Sequence, residues 1–181
     1  MKKLIPFVLV LLVLGGGLAF AGAGRDSGSS ATTGTTSTIS TPIGQYPMNT
    51  TSTLRYWLVL HNNMAANFTN YADTYFGQEL LKRTGVRVQF EHPAGSSTSV
   101  VETAFNLMIA SGEDMPDIME YNWVTVVGGP EKYIDDGVIL RLNDVIDRYA
   151  PNLKAILTAN PDYNRMVKTD NGSYYVFPFI R

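Results

Sequence analysis

The fold class of this chain is decided by the stretch Ala110-Ser111-Gly112-Glu113-Asp114-Met115-Pro116-Asp117-Ile118-Met119. Its pattern predicts the end of a helix, a tight turn and the start of a strand. Gly112 is suited to the left-handed conformation that commonly follows a helix, and Pro116 prevents the helix from continuing. The stretch therefore joins a predicted helix over residues 99–110 to a predicted strand over residues 117–121.

Two strands and another helix are predicted upstream of this unit. Residues 54–60 are apolar except for Arg55, which is typical of a central strand covered on both faces. Apolar residues recur at helical spacing over residues 69–83, and Gly85 is suited to end that helix. Residues 86–91 alternate apolar and polar, which indicates a strand nearer the sheet edge. This alternation predicts an α/β fold with a parallel sheet, in which the first strand lies between the second and third.

Downstream, the pattern becomes more helical. Short helices are predicted over residues 129–136, around residues 143–146 and from Pro151 onward, with Asn143 or Asp144 as a cap for the second of these. Asp170-Asn171-Gly172 is typical of a turn. The aromatic and β-prone residues 173–177 then predict a further strand.

The amino terminus has the pattern of an export signal. Lys2 and Lys3 precede an apolar run, and Ala19-Phe20-Ala21 offers small residues at the positions that a signal peptidase reads. Residues 1–21 are predicted to be a signal peptide, although cleavage after Ala23 also fits. A retained membrane anchor is the competing interpretation, but the run is shorter than the ~20 residues that span a bilayer.

A polar segment separates this signal from the predicted folded part. Residues 22–53 are rich in Ser, Thr and Gly, which predicts a flexible tether; an O-glycosylated stalk is the alternative. Residues 54–181 form the predicted α/β domain.

Composition argues against several function classes. The chain has no cysteine, which excludes disulfides, thiolate metal sites and cysteine catalysis and argues against a lipid anchor. The net charge is −2 with mixed signs, so a nucleic-acid partner is not predicted. His61 and His92 are too few and too far apart in sequence for a recognisable metal site. No nucleophile elbow, phosphate loop or dinucleotide fingerprint occurs, so neither an enzyme nor a cofactor is predicted.

Three segments in this order resemble the family 1 extracellular solute-binding proteins of ABC transporters. The segments are Ser111-Gly112-Glu113-Asp114-Met115-Pro116-Asp117-Ile118, then Asp136-Gly137-Val138-Ile139-Leu140-Arg141-Leu142-Asn143-Asp144 followed by Tyr149-Ala150-Pro151-Asn152, and Asp170-Asn171-Gly172-Ser173-Tyr174-Tyr175-Val176-Phe177-Pro178-Phe179. The resemblance is greatest to the carbohydrate or oligosaccharide type. It implies a periplasmic binding protein-like fold of the second topological type, with the first lobe only and an end near the hinge crossover.

The resemblance also implies a function. Such a protein captures a sugar or oligosaccharide in a cleft between two lobes, closes around it and delivers it to the permease membrane subunits. It would act as a monomer when complete and would be periplasmic or extracellular. A secreted enzyme or adhesin with an α/β domain is the alternative.

Ligand contacts are expected at the carboxyl ends of the strands, where open α/β sheets bind ligands. The candidates are His61, Asn62, Asn63, Asn122, Trp123, Phe179 and Arg181. Amides suit hydroxyl-rich ligands because they donate and accept together, and Trp123 offers a flat surface for a sugar ring. The alternatives are a solvated loop role for His61, turn or cap roles for Asn62 and Asn63, and core packing for Trp123.

Overall fold

Three parallel strands form the sheet in the computed structural model, which describes residue 42 and residues 44–180. The first strand, β1 (Thr53–Trp57), lies between β2 (Arg87–Glu91) and β3 (Ile118–Met119). Both neighbours pair with β1 in parallel, and Trp57 is opposite Glu91 on one side and Met119 on the other. The predicted α/β class and strand order are therefore confirmed, although β3 is shorter than expected.

Helices connect and flank these strands. They are α1 (Asn62–Ala65), α2 (Tyr75–Thr84), α3 (Thr98–Ser111), α4 (Gly129–Asp135), α5 (Asn143–Tyr149), α6 (Pro151–Ala159) and α7 (Pro161–Met166), with 3-10 turns at Tyr71–Asp73 and Trp123–Thr125. Across the described residues, none of these helices has both the length and the apolar character that a bilayer crossing requires.

The helix predicted over residues 69–83 is divided into a 3-10 turn and α2. Asn70 Oδ1 accepts a hydrogen bond from the Ala72 amide at 2.8 Å, and Thr74 Oγ1 accepts one from the Gly77 amide at 3.2 Å. Each bond starts a separate turn, because a side-chain oxygen that accepts from an amide two or three residues later is an N-terminal cap. At the other end, Gly85 has φ 72° and ends α2 as predicted.

The chain before β1 is joined to the end of α2. The Met48 amide donates to the Thr84 carbonyl at 2.7 Å, and a Cβ atom on Gly85 would overlap the Met48 carbonyl oxygen. The predicted signal peptide, and the part of the predicted tether before residue 42, lie outside the described residues.

An aromatic core covers one face of the sheet. Phe105 of α3 is 1% exposed, and its ring stacks on Tyr121 at a centroid distance of 3.7 Å. The Trp57 ring packs against both, at 6.3 Å from Phe105 and 6.4 Å from Tyr121. Trp57 is 6% exposed, which confirms its predicted place in the core.

A second aromatic group covers the opposite face. Phe90 of β2 is 6% exposed and lies 5.9 Å from the ring of Tyr56, 6.0 Å from Tyr71 and 6.4 Å from Phe76. Because Tyr56 and Trp57 are consecutive in β1, their side chains point to opposite faces. The central strand is thus covered on both sides, as its apolar sequence predicts.

Arg55 of β1 holds the turn between α3 and β3. Its Nε donates to Glu91 Oε1 at 2.6 Å and its Nη1 to Asp114 Oδ1 at 2.6 Å, while its backbone amide donates to Asp117 Oδ2 at 2.8 Å. Hydrogen bonding to Glu91 and then Asp114 raises the pKa of the Arg55 guanidinium above its ordinary value. Asp114 has φ 51°, which is uncommon for a residue other than glycine. The fold-deciding turn is therefore fastened to the central strand.

The strand predicted over residues 173–177 is wrong. This segment makes a single antiparallel bridge, between Lys168 and Tyr174. The Asn143 side chain donates to the Gly172 carbonyl at 3.1 Å and accepts from the Tyr174 amide at 2.9 Å, while the Tyr174 carbonyl accepts from the Leu142 amide at 2.8 Å. Asn143 is also not a cap, because α5 begins at Asn143 itself after Leu142.

Candidate functional site

The loops that follow β1 and β2 meet at the carboxyl edge of the sheet. Ser96, in the loop after β2, donates from its hydroxyl to Asn62 Oδ1 at 2.5 Å. Asn62 is the first residue of α1 and is exposed. The structure therefore places one of the predicted ligand residues at the edge where open α/β sheets bind ligands.

His61 and Asn63 are also exposed at this edge. His61 is the N-cap residue of α1, with φ −63° and ψ 146°, and its side chain makes no capping hydrogen bond. Asn63 is the second residue of the helix. The three consecutive residues thus present an imidazole and two amides to solvent, a set that can both donate and accept hydrogen bonds.

His92 is a residue at this edge that sequence reasoning missed. Its Nδ1 lies 2.9 Å from the Leu58 carbonyl oxygen, and its Nε2 accepts from the Tyr71 amide at 3.3 Å. The ring also packs edge-on against Tyr71 at 5.5 Å. From the sequence, His92 is considered only as a metal ligand. Its partners in the structure are backbone groups, which leave no recognisable pattern in the amino-acid sequence.

Asn122 and Trp123 follow β3 but face different surroundings. Asn122 is exposed, and its carbonyl accepts from the Thr125 amide at 3.1 Å and the Thr125 hydroxyl at 2.9 Å. These bonds form the 3-10 turn that carries the next side chain inward. Asn122 itself remains available at the edge.

Trp123 is a core residue, which corrects the expectation that its ring stacks on a ligand. The side chain is 4% exposed, with its ring edge-on to Phe105 at 5.4 Å and to Tyr133 at 5.7 Å. A sugar needs an open ring face, and these neighbours occupy the space around the indole. Burial therefore favours the core-packing alternative for Trp123.

Glu120 adds a carboxylate beside the same loop. It accepts a hydrogen bond from the Tyr56 hydroxyl at 2.9 Å. Burial, and after it this hydrogen bond to Glu120, raises the pKa of Tyr56 above its ordinary value. The Tyr56 hydroxyl therefore remains a neutral donor and fixes the orientation of Glu120 under physiological conditions.

Phe179 lies at a separate apolar hollow of about 170 Å³. Its side chain is 84% exposed, and the hollow is also lined by Tyr163, Met166 and Pro178. Of the predicted polar ligand residues that the structure describes, none lines this hollow. Arg181, the last candidate, lies outside the described residues.

A larger hollow, of about 570 Å³, opens beside the loop after β3 and was not predicted. Its apolar wall includes Val124, which is 72% exposed, and Tyr175. Its polar wall includes Glu131 at the start of α4 and the turn residues Thr169 and Asn171. The volume is in the range of small-molecule sites, and the mixture of apolar and hydroxyl- or amide-bearing walls suits an amphipathic ligand.

Glu131 is one of the charged residues that line this larger hollow, together with Arg165, Lys168 and Asp170. Hydrogen bonding from the Thr169 side chain, and next from Asn171, holds the pKa of Glu131 below its ordinary value of 4.5. Its Oε2 is shut off from solvent and has no hydrogen-bond partner among the described residues.

Across the described residues, no group of three or more His, Asp or Glu side chains is arranged to hold a metal ion.

This lowered pKa predicts a pH-dependent contribution to stability. A carboxyl whose pKa is lower in the folded state stabilises the fold above its unfolded pKa, and that contribution is lost as the pH falls through the folded value. We expect Glu131→Gln to be less stable than the wild type at neutral pH, with a difference that shrinks below pH 4.5. Urea unfolding of both proteins at neutral pH and in steps from about pH 5 to 3 measures this. A difference that stays constant over the acidic steps would contradict it.

Comparison with known proteins shows a partial relationship. No protein-family model matches the chain. The fructooligosaccharide ABC transporter substrate-binding protein FusA of Streptococcus pneumoniae is 35% identical over 103 residues, which are 57% of this chain and 18% of FusA. The chain is therefore homologous to FusA over part of its length.

Solved structures agree with this relationship. The S. pneumoniae FusA structure in complex with kestose matches with a TM-score of 0.59 and 29% identity, over 72% of this chain and 25% of that chain. The alginate-binding protein AlgQ2, in a structure without calcium ion, matches with a TM-score of 0.52 and 27% identity, over 71% and 25%. The chain thus spans about a quarter or less of the length of these relatives, and over that part the predicted resemblance is confirmed.

Proposed function

We propose that this chain is part of the solute-binding subunit of an ABC importer and that the solute is an oligosaccharide. The observation that carries the proposal is the homology to FusA, whose solved structures contain kestose and fructo-nystose. The parallel sheet supports it, because its carboxyl edge bears exposed amide and imidazole groups.

Hydrogen bonding is the proposed means of recognition. Asn62, Asn63 and Asn122 each offer an amide donor and acceptor, and a sugar hydroxyl both donates and accepts. His61 adds a further polar group at the start of α1. With Trp123 in the core, Phe179 is the remaining candidate ring, and its exposure suits stacking on the apolar face of a sugar. Arg181 stays in the proposed set as a neighbour of Phe179 in sequence.

The proposed architecture is the first lobe of a periplasmic binding protein-like fold of the second topological type. A second lobe would face the carboxyl edge, and contacts from both lobes to the sugar would favour a closed state. The permease subunits would recognise that closed form. Export by residues 1–21 and a monomeric, periplasmic or extracellular protein complete the proposal.

This proposal contains no chemical step. The relatives with known roles are transport binding proteins, and their names describe capture of a sugar rather than its conversion. The work of the protein is therefore to raise the local concentration of its solute at the permease and to signal occupancy by its conformation.

Calorimetry of the full-length protein with kestose and fructo-nystose tests the proposal. We expect a saturable binding isotherm with at least one of them, and we expect Asn62→Ala to weaken it about 2- to 12-fold, the effect of one hydrogen bond. The matched control is Asn106→Ala, an exposed asparagine on α3, which should bind like the wild type. Absence of binding to every oligosaccharide in a panel extended to alginate oligomers would refute the function.

A further inference from the structure

We infer that His92 is the positioning residue of the ligand loop, which we define as residues 59–70. This loop carries His61, Asn62 and Asn63, so the role of His92 in ligand binding rests on the proposed function. The hydrogen bonds that His92 makes do not depend on that function. His92 lies outside the ligand loop and sets the geometry of the side chains inside it.

His92 is bonded to the residue on each side of the ligand loop. Leu58, immediately before the loop, presents its carbonyl oxygen 2.9 Å from Nδ1, and Tyr71, immediately after it, donates its amide to Nε2 at 3.3 Å. One rigid ring therefore fixes the distance between the start and the end of the loop. The Tyr71 ring, 5.5 Å from the imidazole, packs beside this connection.

The two partners determine the protonation of the ring. A backbone amide can only donate, so Nε2 must be the unprotonated acceptor, and the proton lies on Nδ1 and is donated to the Leu58 carbonyl. The loop is thus closed by the neutral Nδ1–H form of His92. A side chain with one donor and one acceptor is required there, and an apolar side chain of similar size would meet neither partner.

Burial contributes little to holding the ligand loop, since none of residues 59–70 is buried. Its helix, α1, has no buried residue. Among the described residues, the Asn70 side chain donates to the Phe90 carbonyl at 3.0 Å and Ser96 donates to Asn62, and both bonds connect the loop to β2 or to the chain that follows β2. Asn70 also accepts from the amides of Ala72 and Asp73, and the Leu58 amide donates to the Glu91 carbonyl at 3.0 Å. His92 is the residue whose side chain bonds to both ends of the loop.

Loss of the imidazole leaves two polar groups without their partners. The Leu58 carbonyl and the Tyr71 amide are part of the main chain and are retained in any variant, so the loop must shift to bring water to them. Such a shift moves His61, Asn62 and Asn63 relative to one another and to Asn122. The expected result is a loop that opens more often and a weaker contact with the sugar.

Hydrogen exchange on the full-length protein, followed by mass spectrometry, tests the inference without any ligand. In His92→Leu we expect exchange in residues 59–70 to become at least about tenfold faster, the effect of two lost hydrogen bonds. Exchange in α3 is the internal reference for global stability. His92→Gln offers one amide donor and one acceptor and should restore part of the protection. His61→Leu is the matched control, since the His61 side chain makes no capping bond.

The outcomes separate the inference from the proposed function. Unchanged exchange in residues 59–70 of His92→Leu overturns the inference, and so does an equal rise in the loop and in α3, which would show a general loss of stability. Loop-specific exposure with rescue by His92→Gln supports it. Kestose affinity is then measured: if the wild type binds, His92→Leu should bind about tenfold more weakly with an unchanged Tm. If the wild type binds no sugar, the proposed function fails while the exchange result stands.

Discussion

Trp123→Ala is expected to lower the free energy of unfolding by about 3–5 kcal/mol, the cost typical of removing a buried tryptophan. The indole is 4% exposed and packs edge-on against Phe105 and Tyr133. Its removal would leave a cavity between α3 and α4, because rings on both helices lose their contact. Binding of the proposed oligosaccharide by the remaining folded protein should match that of the wild type, since the indole is buried in the core.

Val124→Ala is the matched control for this variant. Val124 is the next residue in the chain, but its side chain is 72% exposed, so its truncation should change the free energy of unfolding by less than about 0.5 kcal/mol. Chemical denaturation gives the two stabilities, and calorimetry with kestose gives the two affinities. If Trp123→Ala keeps wild-type stability but loses affinity for kestose, the indole contacts the ligand and its assignment to the core is wrong.

Phe105→Ala is expected to have a comparably large effect, also about 3–5 kcal/mol. Phe105 is 1% exposed, stacks on Tyr121 at 3.7 Å and contacts Trp57 and Trp123. The phenyl ring joins the central strand to the loop after β3, so no single neighbour can close the space that it leaves. Loss of this ring should also free the Tyr121 ring and reduce the near-ultraviolet circular dichroism signal.

Leu107→Ala provides the comparison on the same helix. Leu107 also belongs to α3, and it is 71% exposed. Both variants exchange a large apolar side chain for alanine within one helix. The helix propensities of leucine and phenylalanine differ by less than about 0.7 kcal/mol, so burial is the main difference. Thermal and urea unfolding should separate the two clearly. Equal destabilisation by Phe105→Ala and Leu107→Ala would contradict the packing described for α3.

The order of the sheet was predictable because its signals are local. Gly85 and Gly112 end α2 and α3 with φ of 72° and 61°, and they are followed by the two segments with a strand pattern, residues 86–91 and 117–121. Short parallel connections then leave few arrangements, and the observed order places β1 in the centre. Periodicity and glycine position were sufficient for this level of the fold.

The weaker elements were not predictable from the same signals. Residues 173–177 have the composition of a strand, but the Asn143 side chain bonds to the Gly172 carbonyl and the Tyr174 amide, and composition does not report a competing side chain. The helix α1 spans Asn62–Ala65, which is too short to show an apolar stripe. In the sequence, Asn62 is compatible with a turn or a helix cap as well as with a ligand role, so the start of α1 there is not determined.

In the candidate site, too, some features are predictable from the sequence and others are not. His61, Asn62 and Asn63 follow the central strand, so topology alone predicts that they lie at the carboxyl edge, where they are exposed. Trp123 follows β3 by the same rule, and its side chain turns inward because of the 3-10 turn Trp123–Thr125. His92 was missed because its partners are a carbonyl and an amide, which every residue has.

Arg55 and its partners have a consequence for how this protein can diverge from its relatives. The turn that Arg55 fastens joins α3 to the beginning of β3, at the amino end of the sheet, whereas the amides proposed to meet a sugar lie at the carboxyl end. Substitutions among the proposed ligand residues therefore need not disturb the bonds among Arg55, Asp114 and Asp117. The groups proposed to bind a ligand can change while the turn, and the part of the sheet that it secures, is kept.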